Sequence, residues 1–325
     1  MFRRTLFTAT LALAVALPVA VQAQPQKEVN FGIISTDSSI NLRPDWQPFL
    51  DEMQKRTGMK INAFFASDYA GIIEAMRYNK VQVAWFGNKS AMEAVDRANG
   101  EVFAQKIETS GAGGYHSVLI VHKDSPHKTL EDILKNGKSL SFGNGDPNST
   151  SGFLVPSYYV FAQNKIDAKT HFKIVRSASH GTNALAVVNK QVDVATNNTD
   201  DMARLKDKAP ESWANLRVIW ESPLIPADPI VWRKDLAGDT KARIKEFLMS
   251  WGKDEAERGV TNKALKARGF RESSNAQLVP IRQLELFRDR TKIEEDASMA
   301  AGEKSAKLAE IDRKLSELNR QLASR

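Results

Sequence analysis

The stretch SLSFGNGDPNSTSGFLVPSYYVFAQ, residues 139–163, contains the pattern from which the fold follows. We predict a strand over 139–142 and a helix over 151–163. Between them, the loop 143–152 is rich in glycine, asparagine and hydroxyl side chains. A strand followed by a loop and a helix is the repeating unit of α/β proteins, in which ligands bind in the loops after the strands.

The same alternation continues on both sides of this unit. The predicted strands are 29–34, 60–65, 81–86, 118–121, 172–175, 192–196, 217–220 and 230–232. The predicted helices are 44–57, 69–78, 88–98 and 183–189, with a capped helix start at Thr129–Asp132 and a wholly helical chain after Asp239. The pattern predicts an α/β protein with mainly parallel sheets covered by helices.

Residues 1–23 are typical of a secretory signal peptide. Two arginines near the start are followed by an apolar stretch, which ends at a small-residue cleavage pattern, Val21-Gln22-Ala23. The alternative is an uncleaved membrane anchor, although the apolar core is shorter than the ~20 residues that a span needs. We therefore expect an exported, periplasmic protein that is cleaved near Ala23.

The composition excludes several classes of protein. The 325 residues are 42% hydrophobic and 26% charged, which is ordinary for a soluble protein of about two domains. The net charge of +7 is spread along the chain without a long basic run, so nucleic-acid binding is not expected. Because cysteine is absent, disulfides, thiol catalysis, cysteine-bound zinc and a thiol-linked lipid anchor are excluded.

The loop 143–152 has the composition of an anion-binding site. Asn148, Ser149 and Thr150 are residue types that cap helix N-termini, where unpaired N–H groups and the positive end of the helix dipole attract anions. The hydroxyls of Ser149, Thr150 and Ser151 can surround a tetrahedral oxyanion. The alternative is a well-capped helix without a ligand. The loop is not a P-loop, because no Gly-Lys-Ser/Thr sequence follows it.

Five further side chains lie in loops or at the starts of elements. His180 can donate a charge-assisted hydrogen bond to a phosphate-like group. Asp200 follows a predicted strand and Asp228 is flanked by prolines that stiffen its segment, so the two acids can hold an ammonium group. Tyr69 and Tyr115 are of a type that often contacts ligands. Each also has an ordinary interpretation, as an incidental loop histidine, a helix-capping acid or a packed tyrosine.

Catalytic and metal sites are not predicted. Ser149, His180 and Asp228 have the residue types of a hydrolase triad, but the G-x-S-x-G turn that exposes such a nucleophile is missing. An exported serine hydrolase is a distant alternative. Because no H-x-H, H-E-x-x-H or clustered acidic loop is present, we expect no metal, and we expect no cofactor.

The C-terminal stretch has apolar residues at alternating spacings of three and four, which is a heptad seam. They are Leu308, Ile311, Leu315, Leu318 and Leu322. The pattern predicts a helix that lies on its own domain or one that pairs with a partner subunit to form a homodimer.

Six stretches of the chain form a recognisable set: AWFGNKSA at 84–91, DPNSTSG at 146–152, VDVATNNT at 192–199, SPLIP at 222–226, DPIVWRK at 228–234 and QLVPIRQL at 277–284. Together they resemble the periplasmic phosphonate-binding proteins of ABC transporters, a branch of the type II periplasmic binding proteins. The resemblance implies two α/β lobes joined by two crossing strands that act as a hinge. The implied parts are the signal peptide 1–23, one lobe from 24–119 and 226–292, a second lobe from 120–225, and a helical tail over 293–325.

The resemblance also implies a function and a binding site. The implied phosphonate contacts are Ser149, Thr150, Ser151 and His180, the aromatic contacts are Tyr69 and Tyr115, and the amine contacts are Asp200 and Asp228. The position of Asp200 is a glutamate in the family pattern, so its shorter side chain has less reach to an amine. The implied role is delivery of an alkylphosphonate, such as 2-aminoethylphosphonate, to an inner-membrane permease. A receptor for phosphate, phosphite or a phosphate ester is the nearest alternative.

Overall fold

Two β-sheets and the helices that cover them organise the chain. The computed structural model describes residues 28–323, so the predicted signal peptide, 1–23, lies outside the described residues. The strands are β1 Glu28–Ile33, β2 Lys60–Phe65, β3 Val83–Trp85, β4 Gly100–Glu108, β5 Gly114–Tyr115, β6 Ser117–His122, β7 Ser141–Asn144, β8 Ile174–Ser177, β9 Val194–Asn198, β10 Leu216–Glu221, β11 Ile225–Pro226, β12 Pro229–Arg233 and β13 Ala267–Glu272.

Helices connect most of these strands. The α-helices are α1 Ser39–Thr57, α2 Tyr69–Arg77, α3 Asn88–Arg97, α4 Leu130–Asn136, α5 Ala168–His171, α6 His180–Val188, α7 Thr199–Lys208, α8 Pro210–Trp213, α9 Gly238–Ser250, α10 Glu255–Leu265, α11 Val279–Glu295 and α12 Ala301–Ala323. Shorter π or 3₁₀ turns cover Gly137–Ser139, Thr150–Leu154, Ser157–Phe161, Ala162–Asn164 and Asn275–Leu278. No helix within residues 28–323 combines the length and the apolar character that a membrane span requires.

Both sheets are mixed, so the prediction of mainly parallel sheets is wrong. The first sheet has the order β13-β4-β12-β3-β1-β2 and the second has the order β10-β6-β9-β7-β8. In the first sheet β1 runs parallel to β2 and β3, whereas β12 runs antiparallel to β3 and β4. The reason is the path of the chain. It leaves the first sheet, builds the second, and returns as β12, which runs in the direction opposite to β1, β2 and β3.

The chain passes between the two sheets at a short antiparallel pair of strands. In this pair β5 lies beside β11, with Tyr115 opposite Ile225. Each sheet is covered by its own helices, which gives the two-lobed fold with two crossovers that the sequence predicts. The exact lobe boundaries stay a prediction.

Strand β13 corrects the prediction that the chain is wholly helical after Asp239. It pairs antiparallel with β4 and buries Ala267 and Phe270 against the first sheet. The sequence analysis also assigned no strand to β4. Both strands carry charged residues among their apolar ones, which hides the usual strand pattern.

Helix α1 begins five residues before its predicted start. The hydroxyl of Ser38 accepts the backbone N–H of Asn41 at 3.4 Å, which caps the helix at this earlier point. The helix ends where Gly58 adopts a left-handed conformation, with φ of 66°. Its buried face places Trp46 and Phe49 against Phe31 of the first sheet.

The C-terminal helix α12 packs on α11 of the same chain. Ile311 and Leu315, two central positions of the heptad seam, are buried there. Gln283 of α11 also donates to Asn319 of α12 at 2.7 Å. This packing favours the interpretation in which the tail lies on its own domain.

Candidate ligand-binding cleft

A buried polar cavity lies between the two lobes, and both lobes contribute to its lining. All eight side chains singled out from the sequence line it: Tyr69, Tyr115, Ser149, Thr150, Ser151, His180, Asp200 and Asp228. Loops that follow β3, β7 and β9 meet here, because the ends of neighbouring strands point to one edge of each sheet.

The loop after β7 forms one end of the cavity. The Ser149 hydroxyl accepts the N–H of Gly152 at 2.9 Å, and Gly145 N–H donates to the Gly152 carbonyl at 3.0 Å. The loop is therefore closed on itself, which holds the side chains of Ser149, Thr150 and Ser151 in a fixed, buried arrangement.

The predicted helix over 151–163 is instead two π-helical turns, Thr150–Leu154 and Ser157–Phe161. Its first backbone bond runs from Leu154 N–H to the Ser149 carbonyl at 3.1 Å, one residue further than in an α-helix. The Ser149 hydroxyl caps this helix by accepting the N–H of Gly152, and Thr150 and Ser151 lie in its first turn. π turns of this kind often mark functional sites.

His180 is the first residue of α6 and faces the hydroxyl loop. Its Nε2 lies 3.4 Å from both Ser149 Oγ and Ser151 Oγ. No group within residues 28–323 hydrogen-bonds its buried Nδ1. Burial, with a contribution from the charge of Arg204, lowers the pKa of His180 to about 4, so the ring is neutral at pH 7.

Two contacts fasten the hydroxyl loop to the opposite lobe. The Thr150 hydroxyl accepts the backbone N–H of Lys89, at the start of α3, at 2.8 Å. Asp146 accepts the N–H of Tyr69, at the start of α2, at 3.2 Å. The Tyr69 hydroxyl also interacts with Ser149, and burial raises the pKa of this tyrosine, which keeps its proton available for donation.

Asp228 lines the same cavity and lies just before β12. Trp85 Nε1 donates to its Oδ2 at 3.2 Å, and the Tyr115 hydroxyl donates to its Oδ1 at 3.0 Å. Burial raises the pKa of Asp228 to about 6, although the charge of Lys106 lowers it in part. The carboxyl group is thus oriented by two donors and is ionised at pH 7.

Asp200, in the first turn of α7, lies in an ion pair that the sequence did not reveal. The Lys106 ammonium contacts the Asp200 carboxylate and also lies 3.1 Å from a carboxylate oxygen of Glu108. Lys106 comes from β4, the strand that local periodicity missed. An ammonium group that binds Asp200 would therefore share this carboxylate with Lys106.

Other cavity residues were missed for similar reasons. Asn198 caps α7 and donates to Ser151 Oγ at 3.2 Å, which leaves the hydroxyl hydrogen of Ser151 free to point elsewhere. Arg204 donates to Asp201 at 3.1 Å, and burial raises the pKa of Asp201 to about 6 despite that pairing. Trp85 and Asn198 lie within the family-like stretches 84–91 and 192–199. That position was the only sequence signal that could have indicated their place in the site.

The geometry excludes the hydrolase alternative. A catalytic triad needs a carboxylate on the far nitrogen of the histidine, yet Asp228 is bound to Trp85 and Tyr115 instead. Within the described residues there is also no group of three or more histidine and acidic side chains placed to hold a metal. Two lobes around a buried polar cavity, lined by hydroxyl groups and by an oriented acid, define a solute-binding receptor.

The particular family follows from comparison with known proteins. A sequence model described as "ABC transporter, phosphonate, periplasmic substrate-binding protein" matches residues 31–278. The chain belongs to this family. It is 56% identical to the phosphonates-binding periplasmic protein of Escherichia coli, over 97% of this chain and 92% of that one.

Solved structures agree with the assignment. A binding-protein component of an ABC phosphonate transporter from Pseudomonas aeruginosa has a TM-score of 0.90 and 54% identity, covering 92% of this chain and 99% of its own. PhnD1 from Prochlorococcus marinus, solved with methylphosphonate, has a TM-score of 0.70 and 22% identity over 79% of this chain and 97% of its own, which supports the fold.

The family assignment fixes the general role. The protein is a periplasmic substrate-binding component of an ABC transporter and not an enzyme. Such a component acts with a membrane permease, and its ligand is a small molecule of the phosphonate class.

Proposed function

We propose that the cleft binds an alkylphosphonate and that aminoalkyl compounds, with 2-aminoethylphosphonate as the leading example, bind most tightly. The observation that carries the proposal is that one cavity is lined both by the hydroxyl loop and by the buried carboxyl group of Asp228. A phosphonate group needs several hydrogen-bond donors, and an ammonium group needs a carboxylate.

In this proposal the phosphonate lies among Ser149, Thr150, Ser151 and His180. Asn198 supports it, because its bond to Ser151 Oγ leaves the serine hydrogen for an anion oxygen. His180 is neutral in the free cleft, so it donates one N–H, and a bound dianion raises its pKa. Tyr69 donates from the side of the first lobe.

The amine lies beside Asp228, with Tyr115 close to both. Asp228 supports this role since it is buried, oriented by two donors and paired with no cation within residues 28–323. Asp200 contributes a second carboxyl group, which pairs with Lys106. Phosphate has no cation to offer the buried carboxylate of Asp228, and leaving such a group without a partner costs about 1–3 kcal/mol or more. Phosphate, phosphite and phosphate esters are therefore expected to bind more weakly.

The remaining expectations concern transport and assembly. We propose that residues 1–23 are a signal peptide cleaved near Ala23, and that ligand binding holds the lobes closed for delivery to an inner-membrane permease. A homodimer through α12 stays a prediction. The burial of Ile311 and Leu315 within one chain favours a monomeric use of the seam.

Isothermal titration of the mature protein tests the proposal directly. The protein is unfolded and refolded to remove carried-over ligand, then titrated with 2-aminoethylphosphonate, methylphosphonate and inorganic phosphate. We expect stoichiometric binding, tightest for the aminoethyl compound. Equal or tighter binding of the two amine-free anions would refute the amine site, and binding of phosphate alone would replace the proposed ligand class.

The preference for the amine is expected to fall as the pH falls. The pKa of Asp228, raised by burial to about 6, means that the carboxyl is ionised at pH 7.5 and mostly protonated at pH 5. A neutral carboxyl no longer balances an ammonium group, so the ratio of affinities for 2-aminoethylphosphonate and methylphosphonate should drop about tenfold. Titrations of both ligands at the two pH values measure this ratio, because changes in the shared phosphonate group largely cancel.

Asp228→Asn is the matched control for this pH series. Without an ionisable group at this position, the fall in the affinity ratio should become smaller, and the remaining fall reports Glu108, whose pKa burial raises to about 7. A ratio that falls as steeply in the variant as in the unchanged protein would show that Asp228 is not the titrating group.

A further inference from the structure

Lys106 lies at the amine end of the cavity, although it belongs to none of the sequence motifs. Its side chain is only 1% exposed. Its ammonium donates to the Leu265 carbonyl at 3.1 Å and to Glu108 at 3.2 Å, and it pairs with Asp200. An ammonium group has three hydrogens, so these three acceptors occupy all of them. Lys106 therefore acts on a ligand through its charge and not through a direct hydrogen bond.

The charges at this end of the cavity can be counted. Three carboxyl groups, those of Asp200, Glu108 and Asp228, surround one ammonium group. Their charges reinforce the positive state of Lys106: burial alone would lower its pKa, but the carboxylates outweigh burial and raise it. Without Lys106 the same space would hold three carboxyl groups, two of them buried, and no ammonium group to balance them.

Tyr115 connects this cluster to the proposed amine position. Lys106 Nζ lies 5.4 Å from the centre of the Tyr115 ring, and the hydroxyl of the same ring donates to Asp228. A ligand tail beside Asp228 and Tyr115 is thus within a few ångströms of the ammonium, close enough for a buried charge to change its affinity.

We propose that Lys106 is a specificity-determining residue that sets the net charge of the amine end, and so sets how strongly the cleft prefers aminoalkyl to uncharged alkyl phosphonates. The inference rests on the proposed function and adds to it. With Lys106 present, the negative charge is one unit lower, so an uncharged tail buries fewer unbalanced carboxylates. The cleft therefore accepts methylphosphonate as well as the aminoethyl compound.

Three variants separate charge from shape at pH 8, where Glu108 is largely ionised. Lys106→Met makes the amine end one unit more negative, Glu108→Gln makes it one unit less negative, and Lys106→Met with Glu108→Gln restores the original net charge. Each variant is titrated with 2-aminoethylphosphonate and methylphosphonate, and the ratio of the two dissociation constants is compared with that of the unchanged protein.

We expect Lys106→Met to raise the preference for the aminoethyl compound about tenfold and Glu108→Gln to lower it by a similar factor. The double variant should return to within about threefold of the original ratio. A ratio that does not move in either single variant, or that stays shifted in the double variant, overturns the inference. If Lys106→Met does not fold, judged by circular dichroism, Glu108→Gln and the double variant decide the question.

Titration of the unchanged protein distinguishes failure of the proposed function from failure of the inference on Lys106. If it binds neither phosphonate, the proposed function and the inference both fail. If it binds both while the variants leave the ratio unchanged, only the inference on Lys106 fails.

Discussion

Replacing Asp228 with asparagine is expected to weaken 2-aminoethylphosphonate binding about 100-fold and methylphosphonate binding by less than about threefold. Removing one partner of a buried charge pair costs about 3 kcal/mol or more, which corresponds to this loss of affinity. Asparagine has the same shape as aspartate, and it can still accept from Trp85 and contact the Tyr115 hydroxyl. The change therefore removes the charge while the cavity keeps its form. Isothermal titration of both ligands measures the two effects.

Asp200→Asn is the comparison variant for this experiment. Because the Lys106 ammonium already pairs with Asp200, the loss of this carboxylate should weaken the aminoethyl ligand less, by about tenfold. Equal losses for the two ligands in Asp228→Asn would contradict the amine role. A larger loss in Asp200→Asn than in Asp228→Asn would exchange the roles of the two acids.

The site was largely predictable from the sequence because its residues lie in loops at the ends of strands. Ser149, His180 and Asp200 each follow a predicted strand, and parallel neighbours in a sheet bring such loops to one edge. The motifs, with their resemblance to the family, then supplied the chemistry. The structure places all eight predicted residues around one cavity, and their contacts with a ligand stay a proposal.

Lys106 could not be predicted, because its role depends on a strand that has no clear local pattern. In β4 the residues Gln105, Lys106 and Glu108 are buried polar groups, so the strand does not alternate between apolar and polar positions. Two of its three partners come from 94 and 159 residues further along the chain. Spacing within a short window carries no information on contacts of that range.

The sheet order was predicted less well than the fold class for a related reason. Alternating strands and helices indicate parallel pairing, but they do not show where the chain returns to an earlier sheet. Strand β12 lies between β3 and β4, although in the sequence it follows every strand of the second sheet. It runs antiparallel to both of its neighbours. Strand β13 then pairs with the far edge of β4, inside a stretch predicted as helical.

Gly145→Ala is expected to weaken both phosphonates by at least about 30-fold and to lower the melting temperature by several degrees. A methyl group at this position would lie 2.5 Å from the backbone of Gly152, where no flexible side chain can move aside. The two glycines lie against each other, and Gly145 N–H donates to the Gly152 carbonyl. Overpacking of this kind costs about 1–3 kcal/mol. The backbone of the hydroxyl loop must therefore move, and its hydroxyl groups move with it.

Gly259→Ala is the matched control, because a methyl group there, on exposed α10, meets no atom within 4 Å. Alanine is the better helix former by about 0.5–1 kcal/mol, so this variant should melt at the same or a slightly higher temperature and keep both affinities. Titration and thermal melting of the two variants give the answer together. If Gly145→Ala retained full affinity for methylphosphonate, the closed loop would not be the anion site. If it lost affinity for 2-aminoethylphosphonate alone, this loop would hold the amine of the ligand and not its phosphonate group.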